Sequence, residues 1–296
     1  MGTQHMPTSV AVLFVSSLAP DIAQLAPESV LDVGCGFGFW GFLCRFILDV
    51  QPGRHYEKDW KVRIEGVETY EPYIMPHQRF LYDRIHIGRI EKMIDSLGIF
   101  DMYIFGDVLE HIPKDVSKRV FQTACEKARK SVLVNIPIGD GWLRSGTDEN
   151  PAEAHLSTWN IEDFLGYAPK LYSEIVFPNA GRYTSLLIDK TIDDRARASQ
   201  MIANGLSYLE PDPTIAERCF RSAIEFDPTV PNHYLELVNC LIGRGKTDEA
   251  VICLKESVER FPEQPDIYDT LYKLLRRLNR IEEAREVLAR RPESSK

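Results

Sequence analysis

Val30-Leu31-Asp32-Val33-Gly34-Cys35-Gly36-Phe37-Gly38 is the stretch on which the reading of this chain turns. An apolar run over residues 29–33 reads as a buried strand, and it ends in D-x-G-x-G-x-G. Glycines in that spacing let the backbone turn sharply and approach a ligand with no Cβ in the way. Residues 41–50 follow at helical spacing, with Phe42, Leu43 and Phe46 on one face, so the loop runs into a helix N-terminus that offers free N–H groups. A glycine loop between strand and helix serves one of two chemistries. It cradles the pyrophosphate of a dinucleotide, or it holds a nucleoside that carries an amino-acid moiety. Asp32 favours the second, because a carboxylate repels a pyrophosphate and attracts an ammonium group. A turn-capping role is the plainer alternative for this residue.

Outward from the loop, β-rich runs alternate with helical stretches up to about residue 190. Strand candidates are residues 62–68, 84–87, 100–105 and 131–136, with a helix over 113–128 between the last two. Such alternation predicts βαβ units and a parallel sheet. Residues 170–177 and 183–189 break it. They flank Pro178-Asn179-Ala180-Gly181, which is good turn chemistry, and predict a hairpin that adds an antiparallel strand. The expected fold is therefore α/β: a mixed sheet, parallel with one antiparallel strand, over residues 1–192, then an all-α domain over 193–296.

The all-α part repeats itself. Ala216, Ala250 and Ala284 stand 34 residues apart, as do Phe220, Leu254 and Leu288. Ala223 is matched by Ser257, Pro228 by Pro262, Leu237 by Leu271 and Leu241 by Leu275. A small residue where two helices cross and a proline after the second helix resemble the tetratricopeptide repeat, which implies helix pairs stacked into a short solenoid. A plain helical bundle with coincidental spacing is the alternative.

The glycine stretch resembles motif I of the class I S-adenosylmethionine-dependent methyltransferases, and the resemblance continues in order over residues 25–190. It implies a Rossmann-like sheet, S-adenosyl-L-methionine as cofactor, and contacts to it from Asp32, Gly34, Cys35, Gly36 and Gly38. Glu68 closes the second strand in Gly66-Val67-Glu68, where relatives carry an acid that accepts hydrogen bonds from both ribose hydroxyls. Its plain alternative is a solvated strand end. The run Asp107-Val108-Leu109-Glu110-His111 after the fourth strand matches the loop that faces the methyl group in relatives, and it adds Asp107 and Val108 to the cofactor contacts. Asp107 and Glu110 also read as acids at a helix N-terminus. Relatives have Gly-Asp after the third strand. Here Gly88-Arg89-Ile90 stands there, which leaves adenine to backbone groups and gives Arg89 no role.

Methyl transfer needs in-line alignment more than acid chemistry, since the leaving thioether is neutral. A base matters where the nucleophile carries a proton, and His111 and His155 are the catalytic candidates. The loop over residues 139–159, with Trp142, His155 and Trp159, suits a lid over a small polar acceptor. It equally suits a surface connection in which Trp159 is an apolar anchor. A metal held by His111, Asp140 and His155 has no specific spacing behind it, so no metal is expected.

Bulk properties set limits. At 296 residues with a net charge of −9 the chain is long enough for two domains and is a poor candidate for nucleic-acid binding. Ala11 to Leu18 is apolar but too short to span a bilayer and lacks the marks of a signal peptide. Six cysteines without a C-x-x-C pair suggest reduced thiols and a cytoplasmic location. Met1 to Met6 reads as a cloning remnant. The expected partners are a small-molecule or protein methyl acceptor and a protein bound through the repeats. The alternatives are a protein methyltransferase that recruits its target with the repeats, an inactive methyltransferase-like interaction protein, and a NAD-dependent oxidoreductase, which Asp32 disfavours.

Overall fold

The computed structural model describes residues 13–142, 150–172, 174–177 and 181–293. The Pro178-Asn179-Ala180 turn, the segment Met1 to Met6 and residues 143–149 of the long loop lie outside the described residues. The chain divides into two compact units, Met1–Asp163 with Pro169–Thr191 and Phe164–Ala168 with Ile192–Lys296.

The first unit is built on β1 (Ser29–Val33), β2 (Arg63–Glu68), β3 (Arg84–Ile87), β4 (Met102–Gly106), β5 (Ser131–Ile138), β6 (Lys170–Leu171), β7 (Ile175–Phe177) and β8 (Gly181–Asp189). They form one sheet in the order β3-β2-β1-β4-β5-β8-β6, with β7 also on β8. The first five strands are parallel. β8 runs against them, paired with β5 from Ser131↔Asp189 to Ile138↔Arg182, and carries β6 and β7 on its other edge. Helices α1 (Val15–Leu25), α2 (Phe39–Arg45), α3 (Pro76–Leu81), α4 (Ile90–Met93) and α5 (Lys114–Lys127) complete the unit. Every residue of β1 and β5 is buried, as parallel strands covered on both faces require. The strand order turns back between β1 and β4, and a crevice forms beyond the carboxyl ends of strands at such a switch.

α2 continues as one π-helical turn, Phe46–Val50. Its inner face is Leu43, Ile47 and a buried charge network, while Phe42 and Phe46, which do share a face, stack on each other outside. Arg45 is buried and reaches Asp49 at 2.7 Å, Asp83 at 3.1 Å and the carbonyls of Val62 and Leu81. Its guanidinium lies 4.3 Å from the Trp60 ring centroid. A buried cation is tolerable only when paired and hydrogen-bonded this fully. The network fixes α2, and with it the end of the glycine loop, against β2 and α3.

The second unit is helical: α6 (Asp194–Tyr208), α7 (Pro213–Phe226), α8 (Pro231–Gly243), α9 (Thr247–Arg260), α10 (Pro265–Arg277) and α11 (Ile281–Arg290). α7, α9 and α11 begin 34 residues apart, as do α8 and α10. Ala216, Ala250 and Ala284 are buried at the crossings. Gly205 serves α6 the same way, since a Cβ there would lie 2.5 Å from the Phe220 ring. Phe220 and Leu254 are buried, whereas Leu288, at the last turn of the repeat, is exposed. No helix among the described residues is long and apolar enough to cross a membrane. All six cysteines are free thiols.

Candidate functional site

A cavity of about 380 Å³ opens at the carboxyl ends of β1, β2, β4 and β5. The glycine loop forms one wall. Gly34, Gly36 and Gly38 have φ of +69°, +47° and +87°, the left-handed region that favours glycine. At Gly34 the demand is also spatial, because a Cβ would overlap the Cγ2 methyl of Val108. The loops after β1 and β4 therefore touch, and Val108 sets how closely. The N–H groups of Gly34 and Cys35 both donate to the Val67 carbonyl, at 2.8 and 2.9 Å.

Glu68 stands where β2 ends and lines the cavity. Its Oε2 accepts from the Gly36 N–H at 2.9 Å and its Oε1 from the Tyr70 N–H at 2.8 Å. Burial raises its carboxyl above the usual range, and these N–H donors oppose the shift. Asp32 does not line the cavity. It is buried beneath the loop, where its Oδ2 accepts from the Tyr82 hydroxyl at 2.5 Å, and that hydroxyl in turn accepts from the Gly41 N–H at 3.0 Å. Burial pushes its pKa up to about 7, and the charge of Glu68 adds to the rise.

The opposite wall follows β4. Asp107 takes φ +58°, and its Oδ1 accepts from the Tyr183 hydroxyl at 2.5 Å. A 3₁₀ turn, Leu109–His111, then presents Glu110 and His111. The Glu110 carbonyl accepts from the N–H groups of Leu156 at 2.7 Å and Ser157 at 3.0 Å, which docks residues 150–159 on this turn. His155 arrives by that route. The two imidazoles lie 4.8 Å apart, centroid to centroid, at 90°. His111 Nδ1 lies 3.1 Å from the Ala154 carbonyl, which can only accept, so Nδ1 carries a hydrogen. Both imidazoles line the cavity that Gly34 lines.

Trp159 belongs elsewhere. It is fully buried, its Nε1 donates to Ser157 Oγ at 3.1 Å, and the Lys114 ammonium sits 3.5 Å from its ring centroid. Of the two readings of this side chain, it is the anchor. Trp142 lines the cavity beside Tyr183. Arg89 pairs with Glu91 at 2.5 Å, and its neighbour Ile90 lines the cavity. Sequence reasoning missed Ile90, Tyr73, Glu153 and Tyr183 as lining residues. Only Tyr183 left a signal: it opens the second strand of the expected hairpin, and the pairing of β8 with β5 sets it opposite Pro137, at the carboxyl end of β5.

No protein-family model matches the sequence, and no curated protein matches it either. Several solved structures do. A SAM-dependent methyltransferase from Archaeoglobus fulgidus is 15% identical, covering 60% of this chain and 94% of its own, at a TM-score of 0.41. Magnesium protoporphyrin IX methyltransferase from Synechocystis PCC 6803, solved with bound SAH, is 15% identical over 60% of this chain and 82% of its own, at 0.39. MamA AMB-1 is 20% identical over 31% of this chain, at 0.28, and the chain spans about half (51%) of MamA's length. The methyltransferases match the N-terminal part of the chain, and MamA matches the helical C-terminal part.

Proposed function

We propose that this chain is an S-adenosylmethionine-dependent methyltransferase that acts on an O or N nucleophile of a small polar acceptor. One observation carries the reading: three left-handed glycines at the β1–α2 turn, with the Glu68 carboxylate hydrogen-bonded onto the middle one at the mouth of the cavity. That arrangement presents a carboxylate where a ribose diol would bind, and it engages the Gly36 N–H that a pyrophosphate on the loop would need.

The residues present fit the cofactor. Glu68 would accept from the ribose hydroxyls, Ile90 and Val67 offer an apolar surface for the base, and Gly34, Cys35, Gly36, Gly38, Asp107 and Val108 shape the wall along the loop. When bound, S-adenosylmethionine supplies an electrophilic methyl group on a sulfonium. Asp32 supports the loop from below through Tyr82 and Gly41. At the other end, Glu110, His111 and His155 address the acceptor, and Trp142 and Tyr183 narrow the space around it. In this reading residues 1–192 form the catalytic domain and 193–296 a tetratricopeptide-repeat-like domain, and free thiols suit a cytoplasmic protein.

A second reading, a protein acceptor or partner recruited by the repeats, draws on a groove of about 410 Å³ in the helical unit, where Tyr234, Leu237 and Ile252 meet Arg221 and Glu249. An inactive interaction protein fits less well with an intact glycine loop. Calorimetry tests the assignment. S-adenosylmethionine or its demethylated product should bind at micromolar levels, roughly −8 kcal/mol. Tight binding of NADH with no binding of either nucleoside would refute it.

A further inference from the structure

Glu110, His111 and His155 each offer one donor atom, and the three atoms all lie within 4.8 Å of one another. We propose that these three side chains hold a divalent transition-metal cation at the acceptor end of the cavity, and that the cation binds a hydroxyl of the acceptor. The identity of the acceptor rests on the methyltransferase reading, while the cation site stands on the geometry of the three donors.

The donor set decides the class of ion. Two imidazole nitrogens and one carboxylate oxygen suit Zn²⁺, Mn²⁺, Fe²⁺ or Co²⁺, whereas Mg²⁺ and Ca²⁺ prefer oxygen alone. The site is also organised in advance. The Ala154 carbonyl holds His111 Nδ1, so a neutral ring would turn Nε2 to a cation, with the outer-shell support that metal-bound histidines commonly have. The Leu156 and Ser157 N–H groups lock the segment bearing His155 to the Glu110 carbonyl, so two ligands and the third share one backbone clamp. Glu110 is 2% exposed and His155 8%, so both donor side chains are enclosed by the protein. A metal–ligand distance of about 2.1 Å places donors about 3.0–3.5 Å apart, so closure from 4.8 Å asks for at most about 1.3–1.8 Å at the widest pair, shared between side chains.

Three protein ligands leave open positions, the pattern of a catalytic rather than a structural ion. All three residues line the cavity, so the open positions face it. A hydroxyl bound there ionises at lower pH, its O–H bond breaking and its proton passing to solvent. The acceptor would then be a hydroxylated molecule, and no side-chain base would be required.

The test uses the full chain, stripped with a chelator and titrated with Co²⁺ alone. One equivalent should bind and give the visible absorption of histidine-ligated cobalt. His111→Gln, His155→Ala and Glu110→Gln should each weaken binding at least about tenfold. Modification of the wild-type chain with diethyl pyrocarbonate gives a readout that needs no variant: Co²⁺ should protect His111 and His155. Failure to bind one equivalent, binding undiminished in the histidine variants, or absence of protection each overturns the proposal. S-adenosylhomocysteine binding is measured on the same samples. Nucleoside binding without cation binding overturns the metal site and leaves the transferase reading standing. Cation binding without nucleoside binding supports the site and overturns that reading.

Discussion

One end of the cavity is made of backbone and the other of side chains. Around Gly34, Gly36 and Gly38 the wall is main chain in left-handed conformations, held by N–H donors to Val67 and Glu68. Around Glu110, His111 and His155 the wall is ionisable side chains on a 3₁₀ turn and a docked segment. A wall of backbone fixes shape and tolerates little substitution. A wall of side chains sets chemistry, and single replacements can change it while the fold persists. The comparison predicts that damage at the first end appears as lost stability and nucleoside affinity, and damage at the second as lost turnover.

The largest effect should come from the side-chain end. Replacing His111 with Gln or His155 with Ala should lower turnover roughly 10²–10⁴-fold, while S-adenosylhomocysteine affinity stays within about twofold. Labelled methyl transfer to any acceptor that supports turnover, paired with calorimetry, measures both. Lost affinity with turnover intact at saturation would erase the contrast. Next comes Gly34→Ala, which combines a left-handed φ of +69° with overlap on Val108. It should cost about 2–5 kcal/mol of stability and abolish nucleoside binding. A variant with the wild-type melting temperature and wild-type affinity would show that the loop is not shaped by backbone demand.

Asp32 lies under the backbone end and adds a pH dependence. In the unfolded chain it ionises near its ordinary 3.8, and in the fold it keeps its proton up to about 7. The native state binds the extra proton between those values, so this group's stabilising contribution is whole below about pH 4 and lost as pH rises through 7. Asp32→Asn should therefore be more stable than the wild type at pH 8, by on the order of 2–4 kcal/mol, with the gap closing toward pH 4. Melting temperatures across that range decide it, and a gap independent of pH would mean that Asp32 is charged throughout. The smallest effect is that of Glu68→Ala, about 1.5–3 kcal/mol of nucleoside affinity with the fold unchanged. An unaltered dissociation constant would reduce Glu68 to a brace for the Gly36 and Tyr70 N–H groups.

The same contrast explains what could be read in the sequence. A strand, a glycine loop and a helix are contiguous, and local backbone rules shape them, so nine consecutive residues announce the loop. The 34-residue period of the helical unit is equally local in origin, one helix pair per repeat. Asp32 shows where local reading stops. Its partner is Tyr82, fifty residues away, and no spacing rule foretells a side chain turned under the loop instead of into the cavity. Glu110, His111 and His155 were each visible as reactive residue types, but their convergence depends on two N–H groups of a loop segment finding the Glu110 carbonyl. Trp159 had two sequence readings, and the Lys114 and Ser157 contacts that select one of them come from other elements. At Gly88-Arg89-Ile90 the eye goes to the charge, whereas the cavity takes the isoleucine.

The short segment Phe164–Ala168 belongs with the helical unit, where its Leu165–Tyr167 turn packs on α7, although it precedes β6, β7 and β8 in the chain. A ribosome making this protein therefore releases part of the second unit before the strands that finish the first. A stop codon after residue 192 would leave Phe164 and Leu165, both buried in the whole protein, without the helix that covers their segment. Expression of the α/β unit alone would leave five residues in its middle without the helices they pack with.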